Sequence, residues 1–319
     1  MTTRLRLLAA ILAALVLAAP AFADPVRVGK SSAVGFTFVP LDVGLDQKIF
    51  ARNGLDIEVI QLAGSAKLHQ ATVAGAVDIG LGAGTDIAFL VKGAPETAVG
   101  AVSLSPALFG IVVPYDSPIH SAADLKGKIV GISTVGSLTE WILRQLQKKQ
   151  GWPVDAIATV AVGSDTTPQL AALETKQVDA VVSAAAFGWN LETQKRGRLL
   201  MPASDIVGAF LMNVIFARND FLRDNPDAVR RFLKSWYETV AYMNSHKADT
   251  IRVARSVDGY SQDVEDKEFD TVMPSLSTDG KFPPKSVALV QESFVDLKIL
   301  DTEPDVSKFL SERYLPPAK

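Results

Sequence analysis

Ser133 is the first residue to test for chemistry. Gly131 and Ser133 begin a Gly-x-Ser-x-Gly turn, which would present a serine nucleophile between a strand and a helix, but Val135 stands in place of the second glycine. Acyl transfer also needs a histidine to accept the hydroxyl proton. The chain has His69, His120 and His246, expected in a helix interior, a loop and a helix end, and none is placed beside Ser133. Gly80, Gly82 and Gly84 punctuate a strand-to-helix turn as in a dinucleotide loop, yet the third glycine of G-x-G-x-x-G is missing. The simpler reading is a turn that closes tightly. There is no Cys, and no His, Asp or Glu pair shows ligand spacing on one expected face, so neither a metal site nor a cofactor is expected. No residue is assigned a catalytic role.

What recurs instead is Ser, Thr and Gly at helix starts. Ser31, Ser32 and Thr37 precede one helix; Gly64 and Ser65 open another; Gly82, Gly84 and Thr85 a third. Ser133, Thr134, Gly136 and Ser137 precede a fourth, and Gly163, Ser164 and Thr166 a fifth. Free N–H groups and the helix dipole make such ends hospitable to anions. The same residues are also ordinary helix caps. Ser137 and Glu140 fit a capping box, with Glu140 expected to bond back to the Ser137 N–H. That use leaves the N–H groups from Thr134 to Ser137 as half of an anion cradle. Phe36, Phe38, Phe187 and Trp189 lie in or beside these loops, as cleft wall or as core. Lys30 and Lys67 are the only cations near them.

These starts converge only if the elements bring them to one edge. Strands are expected at 26–29, 56–62, 77–81, 129–133, 159–162 and 178–183, alternating with helices at 39–50, 65–75, 86–92, 137–150, 168–176 and 187–196. Such alternation argues for α/β architecture with largely parallel sheets, whose carboxyl edge is where ligands of open sheets bind. The two halves share letters: Gly64-Ser65 leads through a helix to Val77-Asp78, and Gly163-Ser164 to Val178-Asp179. Two similar lobes follow. The apolar stretches 108–114 and 212–217 read as strands, either the two extended crossings of a hinge or ordinary core strands. From Pro226 the tail reads as helical, and Val229, Phe232, Leu233, Trp236, Tyr237 and Val240 form a stripe expected to pack on the first lobe.

Composition narrows the class. Arg4 and Arg6, an apolar run over 7–19 and Ala21-Phe22-Ala23 form a secretory leader, with cleavage expected after Ala23. The run is short for a bilayer core of about 30 Å. An exported chain of 319 residues without cysteine must be held by its core, and its net charge of −3 does not suggest a nucleic-acid partner.

The run PLDVGLDQKIFARNGLDIEVI (40–60) resembles the signature of periplasmic substrate-binding proteins of the nitrate/sulfonate/taurine type, the NMT1/THI5-like family. Matches follow in order at Ala74-Gly75-Ala76-Val77-Asp78, Asp124-Leu125-Lys126-Gly127-Lys128 and Gln177-Val178-Asp179-Ala180. The resemblance implies a type II two-lobed clamshell: leader 1–23, first lobe 24–112, second lobe 113–210, and a return to the first lobe over 211–319. It implies a monomer in the periplasm that captures a small solute for the permease of an ABC importer, without chemistry of its own. Sulfonates, taurine-like solutes and aromatic carboxylates are the expected ligands. The ligand loops it implies begin at Ser31 and Ser32, at Gly64 and Ser65, at Gly82 and Ala83, at Thr134, Val135, Gly136 and Ser137, and at Ala184 to Phe187, with Ala185 between. Thr85, Phe36 and Phe38 complete the expected site. The alternatives are an enzyme on the same fold, pyrimidine synthase-like or esterase, and a sensing subunit for a membrane receptor.

Overall fold

The computed structural model describes residues 25–32, 35–62 and 64–317; the expected leader lies outside them. Four strands come first: β1 (Val26–Lys30), β2 (Ile57–Gln61), β3 (Ile79–Ala83) and β4 (Glu96–Ser103). Five follow: β5 (Phe109–Pro114), β6 (Ile129–Ile132), β7 (Ala158–Ala161), β8 (Ala180–Ala184) and β9 (Gly197–Pro202). The last is β10 (Asn213–Arg218). They form two five-stranded sheets, ordered β2-β1-β3-β10-β4 and β7-β6-β8-β5-β9.

The sheets share one plan. In the first, β1 runs parallel to β2 and β3, while β10 runs antiparallel between β3 and β4. In the second, β6 runs parallel to β7 and β8, while β5 runs antiparallel between β8 and β9. Each antiparallel insert is the strand by which the chain arrives from the other sheet. The sheets are therefore mixed, where alternation alone suggested mostly parallel ones. Of the two readings of 108–114 and 212–217 the core strand holds: they are β5 and β10, inner strands of the two sheets, and Ile111 of β5 pairs with Val182 and Met201. The chain changes sheets over 104–108 and 203–212, so an expected lobe boundary at 112 falls inside a strand.

The expected stripe on helix Pro226–Ser245 is buried throughout and packs on the first sheet's helices. Phe232 meets Phe50 at 5.4 Å, and the Tyr237 hydroxyl donates to the Ala101 carbonyl at 2.9 Å. The helix expected over 39–50 is two, Val39–Asp46 and Ile49–Arg52, because Lys48 adopts left-handed φ of 54° and breaks the run. Helix Lys247–Asp258 follows on the same lobe, and helix Gln262–Val272 packs on it and also on the second lobe, where Val264 meets Ala185, Ala186 and Trp189.

Helix Pro284–Asp296 bridges the lobes as well. Trp141 Nε1 and Gln145 Nε2, both on the second lobe's helix Leu138–Lys149, donate to Asp296 Oδ2 at 3.1 and 3.0 Å. Lys148 pairs with Glu292 at 2.6 Å, and Trp141 also packs on Phe210 of the 203–212 crossing at 4.8 Å. The tail thus ties to both lobes. Asp296→Ala strands the buried Trp141 N–H, and urea unfolding should show a loss of about 1–3 kcal/mol.

Gly84 has a structural duty of its own. Its N–H donates to the Met212 carbonyl at 2.8 Å, and a Cβ there would lie 1.8 Å from the Leu211 carbonyl oxygen. The glycine run is therefore a place of close backbone approach. The turn beyond it is held by Asp86, whose Oδ2 accepts from Ala83 N at 2.9 Å. Behind Asp86 lies buried His69. Its Nδ1 is 2.9 Å from Glu96 Oε1 and its Nε2 is 3.4 Å from Asp86 Oδ2. The ring stacks on Phe89 and meets Phe216 edge-on. Burial disfavours the charged ring, but the Asp86 and Glu96 carboxylates beside it outweigh burial and raise the His69 pKa to about 9.

Candidate functional site

Both sheets direct the starts of their helices to one space, a cavity of about 460 Å³. That volume lies in the range of small-molecule sites. Ser31, Ser32, Phe38, Ser65, Ala83 and Thr85 wall it from the first lobe. Ser133, Thr139, Ser164, Thr166, Gln169 and Ala184 wall it from the second. The polar floor of the second lobe is internally satisfied. Ser183 Oγ donates to Gln169 Oε1 at 2.6 Å, and Gln169 Nε2 donates to the Gly163 carbonyl at 2.9 Å.

Several expected site residues lie elsewhere. Phe36 is core, edge-on to Phe269 at 6.1 Å, because its short 3-10 turn points it inward. Gly82 is inside β3 against Phe216, and Gly64 caps its helix from just outside the wall. Ala185 and Phe187 face the lobe interior, while Ala184 and Ala186, one residue to either side, line the cavity. Thr134, Val135, Gly136 and Ser137 do not line it, and Val135 is 78% exposed.

The cradle expected at Thr134 to Ser137 is occupied by its own helix. Glu140 N donates to Ser137 Oγ at 3.3 Å, but the Glu140 carboxylate accepts from Gly136 N at 2.6 Å, not from Ser137 N. The Ser137 N–H is turned to the Thr134 carbonyl at 3.2 Å. These donors are consumed locally. Ser133 has Thr139 as its partner, with the two hydroxyls 3.0 Å apart. Of the histidines, His69 is locked between Asp86 and Glu96, His120 is 3.3 Å from Arg198, and His246 stacks on Tyr242. Ser133 therefore has no base.

The charge of the wall differs from expectation. Lys30 is buried and paired with Asp42 at 2.8 Å, Lys67 is exposed, and no Lys or Arg lines the cavity among the described residues. Asp258, Tyr260, Glu268, Met212 and Asn213 complete the wall, and none was singled out from the sequence. Asp258, Glu265 and Glu268 bring carboxylate oxygens within 4.8 Å of one another, an arrangement able to hold a cation. This corrects the expectation that no acidic pair shares a face. Glu265 and Glu268 stand three residues apart beside Val264, Phe269 and Val272 on the buried side of their helix. Acids on an apolar stripe were the available signal. Burial raises the carboxyl pKa of all three; the neighbouring acids add to it, and Glu265 reaches about 7.

Two lobes with crossings between them and a cavity at their facing edges define the periplasmic binding-protein fold. The solved aliphatic sulphonate binding protein SsuA of Escherichia coli superposes with a TM-score of 0.76 at 18% identity, covering 90% of this chain and 97% of that one. At that identity the likeness carries the fold alone. Residues 36–250 match the NMT1/THI5-like family model, and the chain belongs to that family. A Haemophilus influenzae protein named for thiamine biosynthesis is 29% identical over 209 residues, 64% of each chain. The match thus spans less than two thirds of that relative. A Bacillus subtilis protein named for binding aliphatic sulfonates is 20% identical over 297 residues, 91% of this chain and 86% of the other.

Proposed function

We propose that this chain is a periplasmic solute-binding protein. It acts as a monomer, captures a small organic solute between its lobes and delivers it to the permease of an ABC importer. The observation that carries the reading is the cavity of about 460 Å³, walled by helix starts from both sheets. The sulfonate-binding relative, similar over nearly the whole chain, supports it. An esterase-like reaction has no support, since Ser133 faces Thr139 and no histidine.

The hydroxyls of Ser31, Ser65, Thr85 and Thr166 suit an oxygen-rich group such as a sulfonate or carboxylate. A solute whose only charge is negative would meet Asp258 and Glu268 at the other end. Of the expected ligands, the taurine-like one fits both ends, because it carries an ammonium beside its sulfonate.

The test is to identify by mass a solute retained through purification from periplasm. Ala184→Trp, which fills the cavity from the start of helix Ala185–Thr193, should abolish retention while the ligand-free protein melts as before. A solute held equally by both proteins would place binding elsewhere and end the proposal.

A further inference from the structure

The two ends of the cavity differ in how their polar atoms are satisfied. At the second-lobe floor the groups pair with one another. At the other end they do not. Glu265 is 0% and Glu268 2% exposed. Both Glu265 oxygens, Glu268 Oε2 and Asp258 Oδ2 have no hydrogen-bond partner among the described residues. Asp258 Oδ1 accepts from Gly35 N at 2.8 Å.

Asn213 makes the same point from a separate element. It lies on β10, is 6% exposed, and donates Nδ2 to the Gly82 carbonyl at 3.3 Å. Its Oδ1 is left without a partner in the cavity wall. A strand and a helix that wall one cavity thus carry enclosed acceptors without partners, and an unmet acceptor is costly. The positive charges that act on the cluster are spent or distant: Lys30 is paired with Asp42, and Arg255 is exposed. The Tyr260 ring stands on the same wall.

We infer that Asp258, Glu268 and Asn213 of the cavity wall, with Glu265 buried behind them, seat a protonated nitrogen of the solute, an ammonium or amidinium. The inference rests on the solute-binding reading and names the substrate class for that cavity. An ammonium carries three donors and no acceptor, which matches a wall of acceptors. Phe38, Leu108 and Tyr260 supply apolar surface for the solute's body. A hard divalent ion would instead need six to eight oxygens closed around it, and this end opens into a space many times larger than an ion. Cation binding draws the carboxyls to their charged form and releases protons, so it strengthens as pH rises. Lys30, Asp42, Arg255 and Tyr260 are the other titratable groups facing the cluster.

Calorimetric titration of the mature chain tests this with putrescine, benzamidine and taurine against butane-1,4-diol, benzamide and ethanesulfonate. At least one cation should bind, with its counterpart lacking the cationic nitrogen at least about tenfold weaker and its own affinity at least about tenfold lower at pH 5 than at pH 8. Glu268→Gln should cost that cation about tenfold or more, while the ligand-free variant melts at or above the wild type. Equal affinity for a counterpart, insensitivity to Glu268→Gln, or heat from calcium or zinc chloride alone overturns the inference. If such a counterpart's binding is lost in Ala184→Trp, the cavity reading survives and only the nitrogen seat falls. No solute bound, from the panel or retained through purification, removes both.

Discussion

His69→Ala should lower the unfolding free energy by about 3–5 kcal/mol at pH 6, because it strips the partner from two buried carboxylates. Asp86 and Glu96 hold the imidazolium 3.4 and 2.9 Å away. With the pKa at about 9 in the fold and 6.5 otherwise, the stabilisation is complete below pH 6.5 and fades as pH rises through 9. Over that interval the wild type should lose about 3 kcal/mol. The variant should lack the slope. Urea unfolding at pH 6 and pH 9 reads both quantities. Parallel pH profiles for the two proteins would show that the cluster is not charged as described. The effect reaches the cavity, since Asp86 also holds Ala83 N and so the turn that carries Thr85.

The Glu265→Gln, Glu268→Gln double variant should move the other way. Ionising buried carboxyls opposes folding, and the Glu265 pKa rises from an ordinary 4.5 to about 7, with Glu268 well above its ordinary value. A raised pKa means the contribution is whole below 4.5 and is lost as pH climbs through 7. The ligand-free wild type should therefore weaken by about 3 kcal/mol or more between pH 4.5 and pH 8, and the double variant should recover that amount at pH 8. Melting curves across this range check it. The window begins two units below that of His69, so the two slopes separate. A double variant less stable than the wild type at pH 8 would mean that the carboxylates are ionised and stabilised in the fold, against this account.

The alternation of strands and helices was legible because apolar periodicity is a local property. The shared plan of the two sheets was legible in the repeated Gly-Ser to Val-Asp spacing. β4 and β9 were not, since ETAVGAVS and GRLLMP carry weak or mixed patterns and owe their state to the antiparallel inserts beside them. Ser31, Ser65 and Thr85 were found because helix starts at a carboxyl edge are readable. The loop from Ala184 to Phe187 was legible, but Ala184 and Ala186 line the cavity where Ala185 and Phe187 were expected, since one residue's rotation decides which faces inward. The acidic end was hidden for another reason: Asp258 and Glu268 reach the cavity only through the packing of two helices far along the chain.

Helix Pro284–Asp296 changes what kind of jaw this is. Parting the lobes must break the Asp296 bonds to Trp141 and Gln145 and pull Trp141 from Phe210, in addition to flexing the 104–108 and 203–212 crossings. Helix Gln262–Val272 adds another tie, with Val264 packed on Ala185, Ala186 and Trp189 and Lys267 lying 3.3 Å from Glu192. Every contact that must break adds to the cost of parting, so entry and release of a solute would be governed by how often these ties let go.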